Sequence, residues 1–344
     1  MARGLKSVPT IADVARECGA GSMTVSRVIN GKKHVSAAMN KRVRAAIVKL
    51  GYEPNEAARV LKGQTPRTIG LIVPDLADPF FSTCAHAIQQ FAARHGYMTL
   101  LFTCEGQKNT EAEELAMMKS RNVAGILIVP SHLSSASQLK ELRARGMPTV
   151  MLDRTIPDLD AGEVTVENRE GTQKAIHHLI EHGHRRILCI GYDSKFNSIG
   201  QRICGYKDAM LQAGFKPEVL SMDSKSSIYS QLLKRLGSSR PPSALFTLNN
   251  VTTTNVLHAL QGKNISVPRE VALVGFDDFD LAPLLAVPLT AVRQPVAELG
   301  RSAARLLLDW IRLGSHAERI SRRVVLPTEL IIRQSCGCGP PPKI

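Results

Sequence analysis

The chain has 344 residues, with 44 Lys+Arg against 30 Asp+Glu, a formal net charge of +14, 44% hydrophobic residues and 22% charged residues. This balance excludes wholesale disorder, and the length suggests two or three domains. No apolar run is long enough to span a bilayer. No apolar stretch follows the basic N-terminal residues as a secretory signal requires, and seven scattered cysteines fit a reducing compartment. A cytoplasmic chain without membrane contact is expected.

Residues 1–62 hold twelve Lys+Arg and four Asp+Glu, so +8 of the +14 sits in under a fifth of the chain. A compact basic module is the footprint of a polyanion binder. A basic solubility tail is the alternative, and the apolar periodicity of the segment argues against it. Thr10 and Asp13 form a capping-box pattern, behind which Ile11, Val14 and Ala15 share one helical face up to Cys18-Gly19. A second helix is predicted from Ser22 to about Asn30, with Val25 and Val28 inward and Gly31 breaking it. A third begins near Ser36, carries Val43, Ala46, Ile47 and Leu50 on one face, and ends at Gly51. Two short helices joined by a glycine-bearing turn, backed by a third, describe a helix-turn-helix domain.

In that motif the second helix enters the major groove. Its exposed candidates are Ser22, Met23, Thr24, Ser26, Arg27 and Asn30, with Arg27 suited to guanine O6/N7. Taken alone, Arg27 is also a plain solvated surface arginine. The ordered set Thr10–Ala15, Met23–Gly31, Val35-Ser36 and Gly51–Asn55 closely resembles the DNA-binding headpiece of the lactose-repressor (LacI/GalR) family. Thr10 joins the DNA-facing candidates through this resemblance. Ala20-Gly21 departs from the family's usual Val-Ser, which removes one hydroxyl near the phosphates. Residues 55–66 contain a short Asn-capped helix former, Asn55–Lys62, too short to be stable alone. The resemblance implies a hinge helix here, with Ala58 at the DNA and Leu61 as a minor-groove wedge. An amphipathic linker with Leu61 against the body is the other reading.

From Thr68 onward short apolar runs alternate with helical stretches: 69–73, 98–102, 123–129, 149–152, 186–190, 244–248 and 271–276. Continuous apolar strands between helices predict parallel sheets covered on both faces, with function at the carboxyl ends of the strands. No 20–50-residue repeat is visible. The strand ends carry Asp75, Asp153-Arg154, Asn249-Asn250 and Asp277-Asp278, and Phe80 or Phe81 offers an apolar wall for a polyol. Each is individually an ordinary turn former or cap. The body, about residues 68–335, also resembles the family and its periplasmic sugar-binding kin, through Val73-Pro74-Asp75, Leu152-Asp153-Arg154, Gly183-His184-Arg185-Arg186-Ile187, Arg202 before Gly205-Tyr206, Gly275-Phe276-Asp277-Asp278 and Arg293-Gln294-Pro295.

The resemblance implies an all-α helix-turn-helix headpiece with hinge helix, then an α/β body of two Rossmann-like subdomains. The expected domains are 1–54, 55–66 and 67–335, with a tail at 336–344. Within the body, 67–166 plus 296–326 would form one subdomain and 167–293 plus 327–335 the other. Effector contacts carried over by position are Asp153, Asn168, Arg202, Asn249, Asp277 and Gln294, to which the strand-end reading adds Asp75, Phe80 and Phe81. Asn250 stands where the family commonly has Asp, which hints at a more anionic ligand such as a sugar acid.

His178 and His182 are spaced i, i+4, but no HExxH pattern, neighbouring cysteine or acidic partner completes a metal site, and Cys336-Gly337-Cys338 falls at the expected tail. No nucleophile elbow, Walker loop or dinucleotide fingerprint is present, so neither an enzyme, nor a metal, nor a cofactor is expected. The sequence reads as a homodimeric repressor at the bacterial nucleoid, binding pseudo-palindromic operator DNA under a sugar or sugar-acid effector. A solute-binding receptor with the same body is the rival.

Overall fold

The computed structural model describes residues 9–29, 35–53, 66–104, 108–131, 136–192, 197–222, 225–314 and 322–338. Contacts divide the chain into Met1–Pro66 and Arg67–Ile344. In the first unit α1 (Ile11–Cys18) starts at the capping box, in which Thr10 and Asp13 satisfy each other's backbone amides, and stops at Gly19 in the left-handed region, φ +62°. In α2 (Ser22–Ile29) the Gly21 carbonyl takes the first helical bonds, from the amides of Thr24 and Val25. Ser36 caps α3 (Ala37–Leu50), which ends at left-handed Gly51. Val14, Val25 and Val43 meet at 0% exposure in the centre of these helices.

The second unit carries two six-stranded sheets among its described residues. The first contains β1 (Thr68–Val73), β2 (Met98–Thr103), β3 (Ile126–Ile128), β4 (Thr149–Leu152), β5 (Gly162–Val166) and β11 (Arg323–Leu326), in the order β11-β5-β4-β3-β1-β2, all parallel. The second contains β6 (Ile187–Tyr192), β7 (Glu218–Met222), β8 (Ala244–Thr247), β9 (Ala272–Phe276), β10 (Thr290–Arg293) and β12 (Glu329–Ile331), in the order β12-β10-β9-β8-β6-β7, parallel except for β12.

Helices α4 (Pro79–Arg94), α5 (Lys108–Ser120), α6 (Ala136–Ala144) and α11 (Val296–Leu313) belong with the first sheet. Helices α7 (Asn168–Glu181), α8 (Asn197–Gln212), α9 (Lys225–Leu236) and α10 (Asn250–Gln261) belong with the second. The central strands β1, β3, β4, β8 and β9 are buried because helices cover both faces, which is why they read as unbroken apolar runs, whereas β2, β11 and β12 are partly exposed.

The chain passes between the sheets three times: at Glu167, at Gln294-Pro295 and at Pro327-Thr328. The second sheet's layer does not end at residue 335. Ser335 and Cys336 are each 1% exposed, the Ser335 hydroxyl takes the Thr290 amide at 2.8 Å, and Cys338 packs on the same core. The expected tail therefore loses its first three residues to the body.

Candidate functional site

Both sheets point the carboxyl ends of their strands into one cavity of about 1000 Å³, lined from the first sheet's side by Asp75, Asp78, Phe80, Phe81, Asp153 and Arg154. The second sheet's side contributes Ser198, Arg202, Asn249, Asn250 and Asp277, and the crossover residue Gln294 completes the lining. Asp153 directly follows β4 and Asp277 directly follows β9, the third strand in from the same edge of each sheet. Both adopt a left-handed backbone, φ +62° and +75°, and both donate their amide at 3.0 Å to the neighbouring strand, to the Val164 and Val292 carbonyls. Such non-glycine conformations cost energy and concentrate at ligand sites. Here they turn two carboxylates toward one space.

Arg202 is locked before any ligand arrives. It is 3% exposed, donates to the Asn168 side chain at 2.8 Å and to the Leu248 carbonyl at 2.7 Å, and lies 3.5 Å from the Asp277 carboxylate. Its guanidinium carbon stands 3.7 Å from the centre of the Phe276 ring. The close crossing of α7 and α8 makes this possible. A Cβ on Gly205 would stand 2.3 Å from the Arg169 carbonyl, so only glycine lets the two helices approach. Gln294 donates to Asp277 at 2.5 Å, while its buried Oε1 has no hydrogen-bond partner among the described residues.

On the opposite wall Phe80 and Phe81 pack edge to face at 5.1 Å, and Arg154 lies 5.6 Å over Phe81. Asp78 caps α4 through the Phe80 amide and accepts the Asn250 amide at 2.8 Å, so one hydrogen bond joins the two halves across the cleft. Burial pushes the Asp78 carboxyl above the usual carboxylate range, against the hydrogen bonds from Phe80 and Asn250, and Asp277 and Asp75 push it further. Burial likewise raises Asp153, opposed by Arg154 and Arg202 and reinforced by Asp277 and Asp78.

Eight of the nine effector candidates thus line the cavity. Asn168 does not; it is buried behind Arg202 and holds it. Asn249 lines the cavity while its Oδ1 caps α10 through the Thr252 amide and hydroxyl. Sequence reasoning passed over Asp78, whose Asp-Pro context reads as a helix cap. Four carboxylates, Asp75, Asp78, Asp153 and Asp277, stand in the lining beside two guanidinium groups, Arg154 and Arg202.

Of the DNA-facing candidates, Ser22, Met23 and Arg27 are exposed on α2, opposite buried Val25 and Val28, whereas Thr24 and Ser26 are half-buried. The Thr10 hydroxyl is committed to the α1 cap, donating to Asp13 at 2.7 Å. Asn30, Ala58 and Leu61 lie outside the described residues. The sequence reading denied the α7 histidines a neighbouring cysteine, and this is corrected: Cys338 Sγ lies 3.0 Å from His178 Nε2.

Residues 10–55 match the family described as bacterial regulatory proteins, lacI family, and residues 176–336 match the periplasmic binding protein-like domain. The HTH-type transcriptional repressor CytR of Escherichia coli (strain K12) is 32% identical, covering 98% of this chain and 99% of its own length. The chain belongs to the lacI family.

This lacI-family regulator shares its fold with the lac repressor dimer bound to operator and the anti-inducer ONPF, at TM-score 0.83 and 23% identity over 95% of this chain and 99% of that one. The transcriptional regulator CelR in complex with cellobiose matches at TM-score 0.69 and 30% identity, over 95% of this chain and 99% of that one. The family and the fold make this chain a helix-turn-helix transcriptional regulator with an effector-binding body. No helix among the described residues is long and apolar enough to cross a membrane.

Proposed function

We propose that this protein represses transcription as a homodimer on a pseudo-palindromic operator, and that a small neutral sugar held between Asp153 and Asp277 controls its grip on DNA. The observation that carries this reading is the cleft. Two left-handed aspartates face one cavity from two sheets, beside a fixed Arg202 and the Gln294 Oε1, which has no partner among the described residues. Sugar hydroxyls donate readily to carboxylates, and an aromatic wall suits a sugar's apolar face. Four carboxylates against two guanidinium groups disfavour a sugar acid. The cellobiose of the CelR complex, a neutral sugar, supports the class.

Ligand that ties the two halves together acts on the crossovers, Gln294 among them, and so on how the headpieces are presented. On the DNA side Arg27 reads a base edge in each half-site while Ser22, Met23, Thr24, Ser26 and Asn30 add neighbouring contacts. Ala58 and Leu61 contact the minor groove at the operator centre.

Thermal shifts across neutral sugars, sugar acids and purines identify the effector; ligand at roughly 100 times its Kd adds about 2.7 kcal/mol to stability. A neutral sugar is expected to give the largest shift. A shift with sugar acids alone contradicts the assignment. Arg27→Ala is expected to cost about 1–3 kcal/mol on operator and to relax specificity at one position per half-site. Equal losses on operator and random DNA would make Arg27 a phosphate contact.

A further inference from the structure

A second group of ligating side chains lies apart from the effector lining. His178 is near the end of α7 and His182 is its C-cap. Cys336 and Cys338 arrive from the other end of the body and meet them. Cys338 Sγ is 3.0 Å from His178 Nε2 and 2.7 Å from Cys336 Sγ. The ligand atoms of His178, His182 and Cys338 all lie within 4.8 Å of one another.

The histidine tautomer is set as a metal ligand needs it. His182 Nδ1 sits 2.7 Å from the His178 carbonyl, so Nδ1 carries the proton and Nε2 keeps a free lone pair. The two rings stand 4.5 Å apart, close enough to converge on one ion. Thiols are weak hydrogen-bond donors and acceptors, so hydrogen bonding alone does little to hold this cluster together.

We propose that His178, His182, Cys338 and Cys336 bind one zinc-class cation, which pins residues 336–338 to the end of α7. Two imidazoles and two thiolates are a donor set for tetrahedral Zn²⁺. Zinc–nitrogen and zinc–sulfur bonds of about 2.0–2.3 Å place neighbouring ligand atoms about 3.5 Å apart. The 3.0 Å between Cys338 Sγ and His178 Nε2 is already near this spacing, while the two sulfurs, at 2.7 Å, must part as Cys336 joins. Binding displaces the thiol protons to solvent and involves no change of oxidation state. Cys336 is 1% exposed and His182 is exposed, so the site opens to solvent on the histidine side.

The test uses reduced full-length protein, titrated anaerobically with Co²⁺ as a spectroscopic probe and with Zn²⁺ against a chromophoric chelator. One equivalent should bind, with a thiolate-to-cobalt charge-transfer band and the strong visible absorption of tetrahedral cobalt. Cys338→Ser should weaken the charge-transfer band to that of a single thiolate, and Cys336→Ser with Cys338→Ser should lose it. His182→Ala, at an exposed position, should keep the fold by circular dichroism yet weaken Zn²⁺ binding by about tenfold or more, at least what an outer-sphere partner is worth. Cobalt bound without a thiolate band would overturn the proposal. So would unchanged Zn²⁺ affinity in the Cys338→Ser and His182→Ala variants, or a Cys336–Cys338 disulfide that persists in reductant and excludes metal.

Discussion

The two halves of the body are built alike and equipped differently. Each has six strands in the same spatial order, and each places a left-handed aspartate after its fourth strand in chain order. The second half arrives finished, with Arg202 held by Asn168, the Leu248 carbonyl, Phe276 and Asp277. In the first half Asp78 and Asp153 are raised by burial, and Arg154 approaches the Asp153 carboxylate at 3.5 Å. The difference separates the work of the site. One half is a rigid anchor that holds ligand in register, and the other holds charge whose burial ligand hydroxyls can offset.

The largest effect is expected from breaking the anchor. Arg202→Ala leaves Asp277 and the Asn168 side chain without their buried partner, and removal of one member of a buried pair costs about 3–5 kcal/mol. Urea denaturation should register this loss together with the disappearance of effector binding. An Arg202→Ala protein of parental stability would mean that the anchor carries no strain-bearing role.

Next comes the helix crossing beneath it. Gly205→Ala forces a methyl against the Arg169 carbonyl, an overpacking of about 1–3 kcal/mol. By parting α7 from α8 it should also weaken effector binding, although Gly205 is not in the lining. Calorimetric titration that finds parental affinity would uncouple the crossing from the site.

The hydrogen bond between the halves gives a smaller and pH-dependent effect. Asn250→Asp sets a second carboxylate against Asp78, and a lost buried hydrogen bond costs about 1–3 kcal/mol. Because Asp78 is raised, it takes up a proton earlier than an ordinary aspartate as pH falls. The defect in effector affinity should therefore shrink toward acid pH. A defect that is constant with pH removes Asp78 from the account.

The smallest effect on stability comes from Asp153→Asn. With its carboxyl raised, the folded chain holds more protons than the unfolded one above the ordinary aspartate pKa of about 3.9, so stability falls as pH rises through that window. The asparagine variant should flatten this slope and be slightly more stable at neutral pH while binding effector less tightly. A steeper slope in the variant would reverse the sign assigned to Asp153.

The headpiece is legible in sequence because its signals are local: the Thr10–Asp13 box, the Ser36 cap, and glycines 19 and 51 where the backbone turns left-handed. The seven strands read from apolar runs are also present. The five that escape notice have specific reasons. Gly162–Val166 alternates with Glu163 and Thr165, Glu218–Met222 is an edge strand opening on a charge, and Thr290–Arg293, Arg323–Leu326 and Glu329–Ile331 are short or carry charged residues.

Long-range pairings are invisible at this level. Asn250 meets Asp78 across 172 positions, and Cys338 meets His178 across 160. The likeness of the two halves lies in strand order, and no 20–50-residue repeat in the sequence announces it.

The central claim is that ligand held between Asp153 and Asp277 governs DNA binding. It is tested most directly by operator affinity, measured by fluorescence anisotropy with and without the neutral sugar that gives the largest thermal shift. The parent, Asp153→Asn and Asp277→Asn should bind operator alike without ligand. Sugar should change the parent's affinity by about 5–150-fold, the usual range of such coupling, and leave both variants unmoved. A parent whose operator affinity ignores every ligand the cleft binds, or variants that respond as the parent does, would contradict it.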